Sequence, residues 1–114
     1  MSSQEFLSRA LKTIAKKAEV QEIDIENPFV KYAKRCGCKA LKLIFLNKKG
    51  FPDRTILCPG GRIFFIEFKR DGKKQSPSQK LVQILLESFS FEYYVCDQKG
   101  QAEKILTEFL DNDF

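Results

Sequence analysis

One stretch decides the fold: GFPDRTILCPGGRIFFIEFK, residues 50–69. Residues 54–58 and 62–69 are rich in β-branched and aromatic side chains and predict two strands, and the segment Pro59-Gly60-Gly61 predicts a tight hairpin between them. Residues 63–66 are all apolar, which is typical of a strand that is covered on both faces. We therefore expect the second strand to lie in the centre of a sheet.

Three ionisable residues lie at one end of this hairpin: Asp53, Glu67 and Lys69. Glu67 and Lys69 are two residues apart on a strand, so their side chains emerge on the same face. If the hairpin loop has three residues, Asp53 lies opposite Glu67 and their Cβ atoms are roughly 5 Å apart. A two-residue loop would place the carboxylates on opposite faces, and a bulge would also change the register.

Two carboxylates at this separation repel each other unless a cation lies between them. Carboxylate and carbonyl oxygens form a hard site that suits Mg²⁺ or Mn²⁺. Such a metal lowers the pKa of bound water and polarises a phosphoryl oxygen, and a neighbouring lysine stabilises the charge that develops on phosphate. These groups together are those of a phosphodiesterase.

The composition excludes several other kinds of enzyme. The chain has 114 residues, a formal net charge of +5 and no histidine. Ser-His-Asp hydrolases, Cys-His proteases and histidine-ligated zinc sites are therefore ruled out. The cysteines form no C-x-x-C pair, which favours free thiols over a zinc site; they are Cys36, Cys38, Cys58 and Cys96.

The rest of the chain predicts a single α/β domain over residues 1–114 with a mixed sheet and an N-terminal helical extension in residues 1–25. Apolar periodicity predicts four helices and two further strands. The expected helices are residues 4–18, Glu26 to Gly37, Ser76 to Phe89 and 101–110, and the strands are 40–46 and 93–96.

The helix after the hairpin has the clearest local signals. Ser76 suits its N-cap, Pro77 its first position and Gln79 the third position of a capping box. We expect one apolar face of this helix to pack inward; its residues are Leu81, Val82, Leu85, Leu86 and Phe89. The residues expected to face inward from the last helix are Ala102, Ile105, Leu106 and Phe109.

Charge is distributed unevenly along the chain. Seven lysines and arginines and no acidic residue lie between Glu26 and Asp53, whereas the segment after Gln101 is acidic. This asymmetry is typical of proteins that bind nucleic acid, although a lysine-rich solvated surface has the same pattern. The N-terminus does not have the pattern of a signal peptide, and the apolar runs are too short to span a bilayer, so we expect an intracellular protein.

The ordered motifs resemble the VRR-NUC (virus-type replication-repair nuclease) family of the PD-(D/E)XK superfamily. The resemblance extends from about Glu26 to the last helix. The matching features are Glu26, Gly50-x-Pro52-Asp53-Arg54, Pro59-Gly60-Gly61-Arg62, Phe65-Ile66-Glu67-Phe68-Lys69 and Ser76-x-x-Gln79. The resemblance implies a restriction-endonuclease-like core, in which a central mixed sheet is flanked by helices.

The resemblance also implies roles for individual residues. Asp53, Glu67 and the main-chain carbonyl of Phe68 would hold Mg²⁺ or Mn²⁺, and Glu26 would complete the metal site. Lys69 would position the attacking water, and Gln79 would lie near the active centre. Each has a plainer interpretation: Asp53 as a turn residue, Glu67 and Lys69 as an exposed pair, Gln79 as a cap. Glu26 could instead favour a helix N-terminus, with Glu22 and Asp24 as competitors.

The function implied is that of a metal-dependent endodeoxyribonuclease that cuts branched DNA, above all four-way (Holliday) junctions, in DNA repair. It would act without an organic cofactor in the cytoplasm of a bacterium that carries a phage or prophage. Paired cuts favour a homodimer, for which the N-terminal helix is one expected interface. The candidates for phosphate contacts are Arg54, Arg70, Lys73 and Lys74.

Three alternatives stay open from the sequence. The same site could act on flaps, nicks or single-stranded ends. The chain could also be a DNA-binding module without catalysis, or an α/β protein whose motifs are fortuitous.

Overall fold

A four-stranded sheet lies at the centre of the computed structural model, which describes residues 2–9, 20–44 and 49–112. The elements are α1 (Glu22–Arg35), β1 (Lys39–Leu41), β2 (Arg54–Cys58), β3 (Arg62–Phe68), α2 (Pro77–Ser88), β4 (Glu92–Cys96) and α3 (Gln101–Asp111). The strand order is β1-β2-β3-β4, with β3 and β4 parallel and the other pairs antiparallel. The predicted α/β fold with a mixed sheet and flanking helices is confirmed.

The β2–β3 hairpin has the three-residue loop on which the predicted site depends. Cys58 pairs with Arg62 and Arg54 pairs with Ile66, so no bulge interrupts the register between them. Both loop glycines have positive φ, +83° at Gly60 and +74° at Gly61, a conformation that costs glycine little. The sequence Pro-Gly-Gly therefore fixes the length of the loop and, with it, the register.

One face of the sheet carries the main core. Alternate residues of β3, among them Phe64, Ile66 and Phe68, are buried there against α1 and α3. From α1 the core receives Phe29, whose ring lies 5.9 Å from that of Phe68. The fully buried Leu106 comes from α3, as predicted, and β3 is central and covered on both faces, as its apolar run indicated.

The opposite face of the sheet is the face of the predicted site. Phe65 and Glu67 alternate with the core residues of β3, and Tyr93 lies beside Phe65 on β4. Phe65 packs edge-on against Phe51 and Phe91, with ring centroids 5.7 and 5.4 Å apart. Helix α2 packs against β4.

The N-terminal region differs from the prediction in where α1 begins. The helix begins at Glu22, not near Glu26, because the Asp24 carboxylate accepts a hydrogen bond of 2.9 Å from the Gln21 N–H and caps the first turn. Glu26 therefore lies in the second turn, and Pro28 lies inside the helix. Residues 3–9 are helical, as predicted, whereas residues 10–18 of that predicted helix lie outside the described residues.

The first strand is shorter than predicted. We expected residues 40–46, but β1 ends at Leu41, and Phe45 and Leu46 lie outside the described residues. Leu41 pairs with Thr55, so continuing the strand by three residues would bring it opposite Pro52. Proline has no N–H to donate, so the strand pairing cannot continue through this position.

Helix α2 buries less of its apolar surface than predicted. Its capping box is confirmed, but Val82 is its one buried residue, and Leu86 is half-buried. Leu81 and Phe89, expected to face inward, are 67% and 70% exposed, and Leu85 is 40% exposed. The physical reason is that the helix carries two apolar stripes and only the one with Val82 and Leu86 meets the sheet. Among the described helices, none has the length and apolar character to cross a membrane.

Gly50 fixes the loop that leads to Asp53. Its φ is +86°, and a Cβ placed on it would lie 2.5 Å from the main-chain carbon of Ser78 and 2.7 Å from the nitrogen of Gln79. Such distances are shorter than real Cβ contacts. The loop therefore rests on the first turn of α2 at a point where only glycine fits.

We predict that Gly50→Ala lowers the free energy of unfolding by about 2 kcal/mol more than Gly72→Ala does, because overpacking typically costs about 1–3 kcal/mol. Gly72 has a similar φ of +80° but nothing within 4 Å of its Cβ position. The loss of stability in Gly72→Ala therefore measures the cost of positive φ alone, without the steric clash that Gly50→Ala adds. Urea denaturation of both variants measures the difference. Equal losses would show that the contact with α2 contributes nothing.

Candidate active site

The register of the hairpin brings Asp53 and Glu67 together at the end of the sheet. Arg54 pairs with Ile66, so Asp53 lies next to Glu67 in the following position. The Oδ2 atom of Asp53 accepts a hydrogen bond of 2.7 Å from the Phe68 N–H, which fixes the carboxylate against β3. A cleft of about 240 Å³ opens beside Asp53 and is lined by residues 42–44 and 50–53.

Glu67 is the most unusual residue of the site, because its carboxylate is fully buried. Its Oε1 atom accepts a hydrogen bond of 2.7 Å from the Tyr93 hydroxyl. Its Oε2 atom is buried and has no hydrogen-bond partner within the described residues. A buried carboxylate oxygen without a partner is energetically costly, so this atom calls for a ligand.

Burial raises the pKa of both carboxylates. The pKa of Glu67 is raised mainly by desolvation and further by Asp53, while the Tyr93 hydrogen bond and Lys69 lower it. The pKa of Asp53 is raised mainly by desolvation and further by Glu26 and Glu22, and is lowered by the Phe68 N–H and by Lys69. The charge of Asp53 thus makes Glu67 harder to ionise, and the charge of Lys69 lowers the pKa of both carboxylates.

Lys69 follows β3 directly. Its main-chain N–H donates a hydrogen bond of 2.8 Å to the carbonyl of Cys96, which extends the pairing of β3 with β4. Because the strand conformation continues to this point, the half-buried Lys69 side chain points to the same face as Glu67. Its positive charge stabilises both acidic groups in their ionised form.

Glu26 reaches the site from α1 and is held there by Arg54. The Arg54 Nε atom donates a hydrogen bond of 2.6 Å to Glu26 Oε2, and its Nη1 atom donates to the carbonyl of Ala40 at 3.1 Å. The two side chains are only 14% and 17% exposed. Arg54, which the sequence suggested as a phosphate contact, is thus committed to an internal ion pair.

Gln79 performs the capping role in α2. Its side-chain oxygen accepts a hydrogen bond of 2.8 Å from the Ser76 N–H, and its own N–H donates to Ser76 Oγ at 3.2 Å. The side chain is therefore engaged at the helix N-terminus, beside Gly50.

The remaining basic candidates lie in the turn after β3. The Lys73 N–H bonds to the Arg70 carbonyl at 3.1 Å, and both side chains border a cleft together with Gln21, Glu22 and Ile23 of the α1 N-terminus. Lys74 is exposed in the same turn. These three cations lie on the same side of the site as Glu22, whose negative charge raises the pKa of Asp53.

Comparison with known proteins gives two informative matches and no match to a family model. A curated relative, "Putative nuclease p44" of Acyrthosiphon pisum secondary endosymbiont phage 1, is 30% identical over 80 residues, which cover 70% of this chain and 86% of the relative. A solved structure described as "VRR_NUC domain" has a TM-score of 0.63 and 24% identity, and the match covers 79% of this chain and 99% of that one. The chain belongs to the VRR-NUC family of nucleases.

The residues of the site can be tested for their fit to the divalent metal ion that the sequence predicts. In the part of the chain that the structure describes, no three His, Cys, Asp or Glu side chains are gathered into a metal site. The register nevertheless places Asp53 beside Glu67, the charge of Asp53 raises the pKa of Glu67, and Glu67 Oε2 has no hydrogen-bond partner among the described residues. The two carboxylates supply hard oxygen ligands, and Glu67 Oε2 is free of other hydrogen bonds to described residues, which fits the preference of Mg²⁺ and Mn²⁺ for oxygen.

Two residues of this VRR-NUC site were missed from the sequence. Tyr93 holds Glu67, and Gln75 lies near both and lowers the pKa of each, although its Nε2 atom completes no hydrogen bond to a described atom. The sequence pattern could have predicted the position of Tyr93, because a strand–helix–strand unit usually places its two strands, here β3 and β4, as parallel neighbours. Alternation along β4 then places Tyr93 and Val95 on the face of Glu67.

We predict that Glu67→Gln stabilises the metal-free VRR-NUC domain at pH 7. The folded-state pKa of Glu67 is raised, so ionising it costs folding free energy as the pH rises through that pKa. The amide avoids this cost, and we expect the Tm in EDTA to rise by roughly 4 °C, equivalent to about 1 kcal/mol.

The gain should fade as the pH falls from the raised folded-state pKa towards the ordinary pKa of a glutamate, below which Glu67 is protonated in both the folded and unfolded states. Thermal melts between pH 4 and pH 8 measure it, with Glu87→Gln as a control that removes an exposed charge from α2. A gain that is the same at all pH values would contradict the explanation.

Proposed function

We propose that this VRR-NUC protein is a divalent-metal-dependent endonuclease that hydrolyses phosphodiester bonds in branched DNA, with four-way junctions as its main substrate. One observation carries the proposal: a carboxylate pair, formed by the fully buried Glu67 and the half-buried Asp53, in which one Glu67 oxygen has no hydrogen-bond partner among the described residues and a lysine lies close by. Structural proteins rarely bury a carboxylate pair of this kind, because its desolvation costs several kcal/mol. A bound cation offsets that cost.

The residues divide the reaction between them. Asp53, Glu67 and the main-chain carbonyl of Phe68 would hold the cation, and Glu26, whose charge acts on Asp53 from α1, would complete the metal site. A bound Mg²⁺ or Mn²⁺ supplies Lewis acidity towards the phosphoryl oxygen and lowers the pKa of a coordinated water. Lys69 orients the attacking water and stabilises the negative charge that develops on phosphate. Gln79 supports the site indirectly, since it caps the helix on which the Gly50 loop rests.

The DNA backbone is bound by the turn after β3. Arg70 and Lys73 border one cleft, and Lys74 is exposed in the same turn directly after the strand that carries Glu67, which suits contacts with phosphates on either side of the cut. Such contacts are independent of sequence and weaken as the salt concentration rises. Arg54 is left out of this set, because its guanidinium is occupied by Glu26 and Ala40.

The enzyme acts as a homodimer. Two cuts in a symmetric junction need two active sites related by a two-fold axis. Helix α2 supplies an interface for a second copy, because Leu81 and Ile84 are 67% and 64% exposed on one side of it and Phe89, at its C-terminal end, is 70% exposed. A monomer leaves this stripe in water, whereas an antiparallel pair of α2 helices buries it on both copies.

The biological setting we propose is a phage or prophage whose protein acts on DNA inside a bacterial cell. It is supported by the phage origin of the relative that is 30% identical. Branched intermediates arise there when DNA is replicated and repaired.

We predict that the wild-type protein makes paired, symmetric cuts in an end-labelled four-way junction with Mg²⁺ or Mn²⁺ and none in EDTA. Lys69→Ala and Glu67→Gln should each lower the cleavage rate by at least about 100-fold, the scale on which general acid–base and charge-stabilising groups act. Lys104→Ala, which removes an exposed charge from α3, serves as the matched control.

A flap, a plain duplex and a single strand are tested alongside the junction. If only the flap or the single strand is cleaved, that DNA and not the junction is the substrate, and the proposed metal site is still supported. Junction binding without any cleavage would identify a DNA-binding module. Cleavage at the wild-type rate by either variant would show that its residue has no catalytic role.

We predict that Leu81→Glu combined with Ile84→Glu converts the dimer to a monomer, because the introduced charges cannot be buried without partners. Sedimentation velocity at micromolar concentration measures the change. Ile23→Glu, at a residue 59% exposed on α1, serves as the control for a charge on another apolar surface residue. Dissociation by Phe6→Glu in place of the α2 variant would move the interface to the N-terminal helix.

A further inference from the structure

The two oxygens of the Glu67 carboxylate have different surroundings. Oε1 accepts a hydrogen bond of 2.7 Å from Tyr93, whereas Oε2 has no partner among the described residues. Both atoms belong to a side chain with no exposed surface, so water does not explain the difference. The asymmetry is imposed by the protein.

Tyr93 is itself firmly placed. It lies next to Phe65 in the parallel register of β3 and β4, two positions before the partner of Glu67, and it is only 7% exposed. From this position its ring spans the sheet face diagonally, so that the hydroxyl meets the carboxylate. The Tyr93 hydroxyl donates this hydrogen bond, and the Glu67 oxygen accepts it.

We propose that Tyr93 is a positioning residue that holds Glu67 through Oε1 and thereby presents Oε2 to the divalent cation. This inference rests on the proposed function, because it assigns a role within the same site. A carboxylate that binds a metal needs a second partner to fix its orientation, and loss of such a partner typically lowers metal affinity or activity about 10–100-fold. Among the described side chains, Tyr93 completes a hydrogen bond to Glu67, whereas the Gln75 amide lies near the carboxylate without completing one.

The alternative role for Tyr93 is structural only, as a ring that fills the space between β4 and α2. The two roles separate at the hydroxyl group. Tyr93→Phe keeps the ring and its packing but removes the donor, so a purely structural residue would lose little beyond stability. A positioning residue would lose metal affinity as well.

The test is a calorimetric titration of the full chain with Mn²⁺ in the absence of DNA, at a temperature where all variants are folded. Tyr93→Phe should bind Mn²⁺ at least about 10-fold more weakly than the wild type. Tyr94→Phe is the matched control: it removes the hydroxyl of the adjacent residue, whose ring packs on Phe64 at the opposite face of the sheet. Tyr94→Phe should bind Mn²⁺ as the wild type does.

Junction cleavage gives a second measurement. For Tyr93→Phe the Mn²⁺ concentration that gives half the maximal rate should rise by about the same factor as the dissociation constant. The rate at saturating Mn²⁺ should stay within about 3-fold of the wild type, because the metal ligands are all retained. Unchanged Mn²⁺ affinity in Tyr93→Phe would overturn the inference.

Glu67→Gln separates this failure from a failure of the proposed function. If Glu67→Gln abolishes Mn²⁺ binding but Tyr93→Phe does not weaken it, only the role of Tyr93 is wrong. If Glu67→Gln binds Mn²⁺ as tightly as the wild type, the cation does not bind at Glu67, and the proposed site is wrong together with the inference.

Discussion

The register of the β2–β3 hairpin is the constraint on which the site depends. Side chains on a strand alternate between two faces, so a shift of the register by one residue would move Asp53 to the face opposite Glu67. The observed register places the two residues side by side. With the observed pairing, Asp53 also reaches the Phe68 N–H, and this hydrogen bond ties the loop before β2 to the end of β3. The closeness of the two acidic residues and the position of Asp53 at the cleft both follow from that pairing.

Burial of Glu67 is the main energetic cost of this arrangement. The fold offsets part of the cost with the Tyr93 hydroxyl on one side and the Lys69 charge on the other, and the raised pKa values show that the compensation is incomplete. In the proposed site, a bound cation would relieve both the desolvation and the mutual repulsion of the carboxylates.

Local sequence signals were sufficient where the structure depends on neighbouring residues. The Pro-Gly-Gly loop, the apolar run of β3 and the Ser76 capping box predicted the hairpin, the central strand and the start of α2 correctly. The misplaced start of α1 came from reading Pro28 as a first-turn residue, although the Asp24 cap sets the boundary. Tyr93 and the exposed stripe of α2 depend on which elements pack together, and local periodicity does not carry that information.

The turn at residues 59–61 touches little, and a Cβ at Gly60 or Gly61 would meet nothing within 4 Å. Exposed turns of this kind usually tolerate changes of length in evolution. Here the loss or gain of one residue would shift the pairing by one position and turn Asp53 away from Glu67. The effect would be felt at the far end of the hairpin, roughly 17 Å away at 3.3 Å per residue. Insertions and deletions in this surface turn are therefore expected to be selected against as strongly as changes in the buried core.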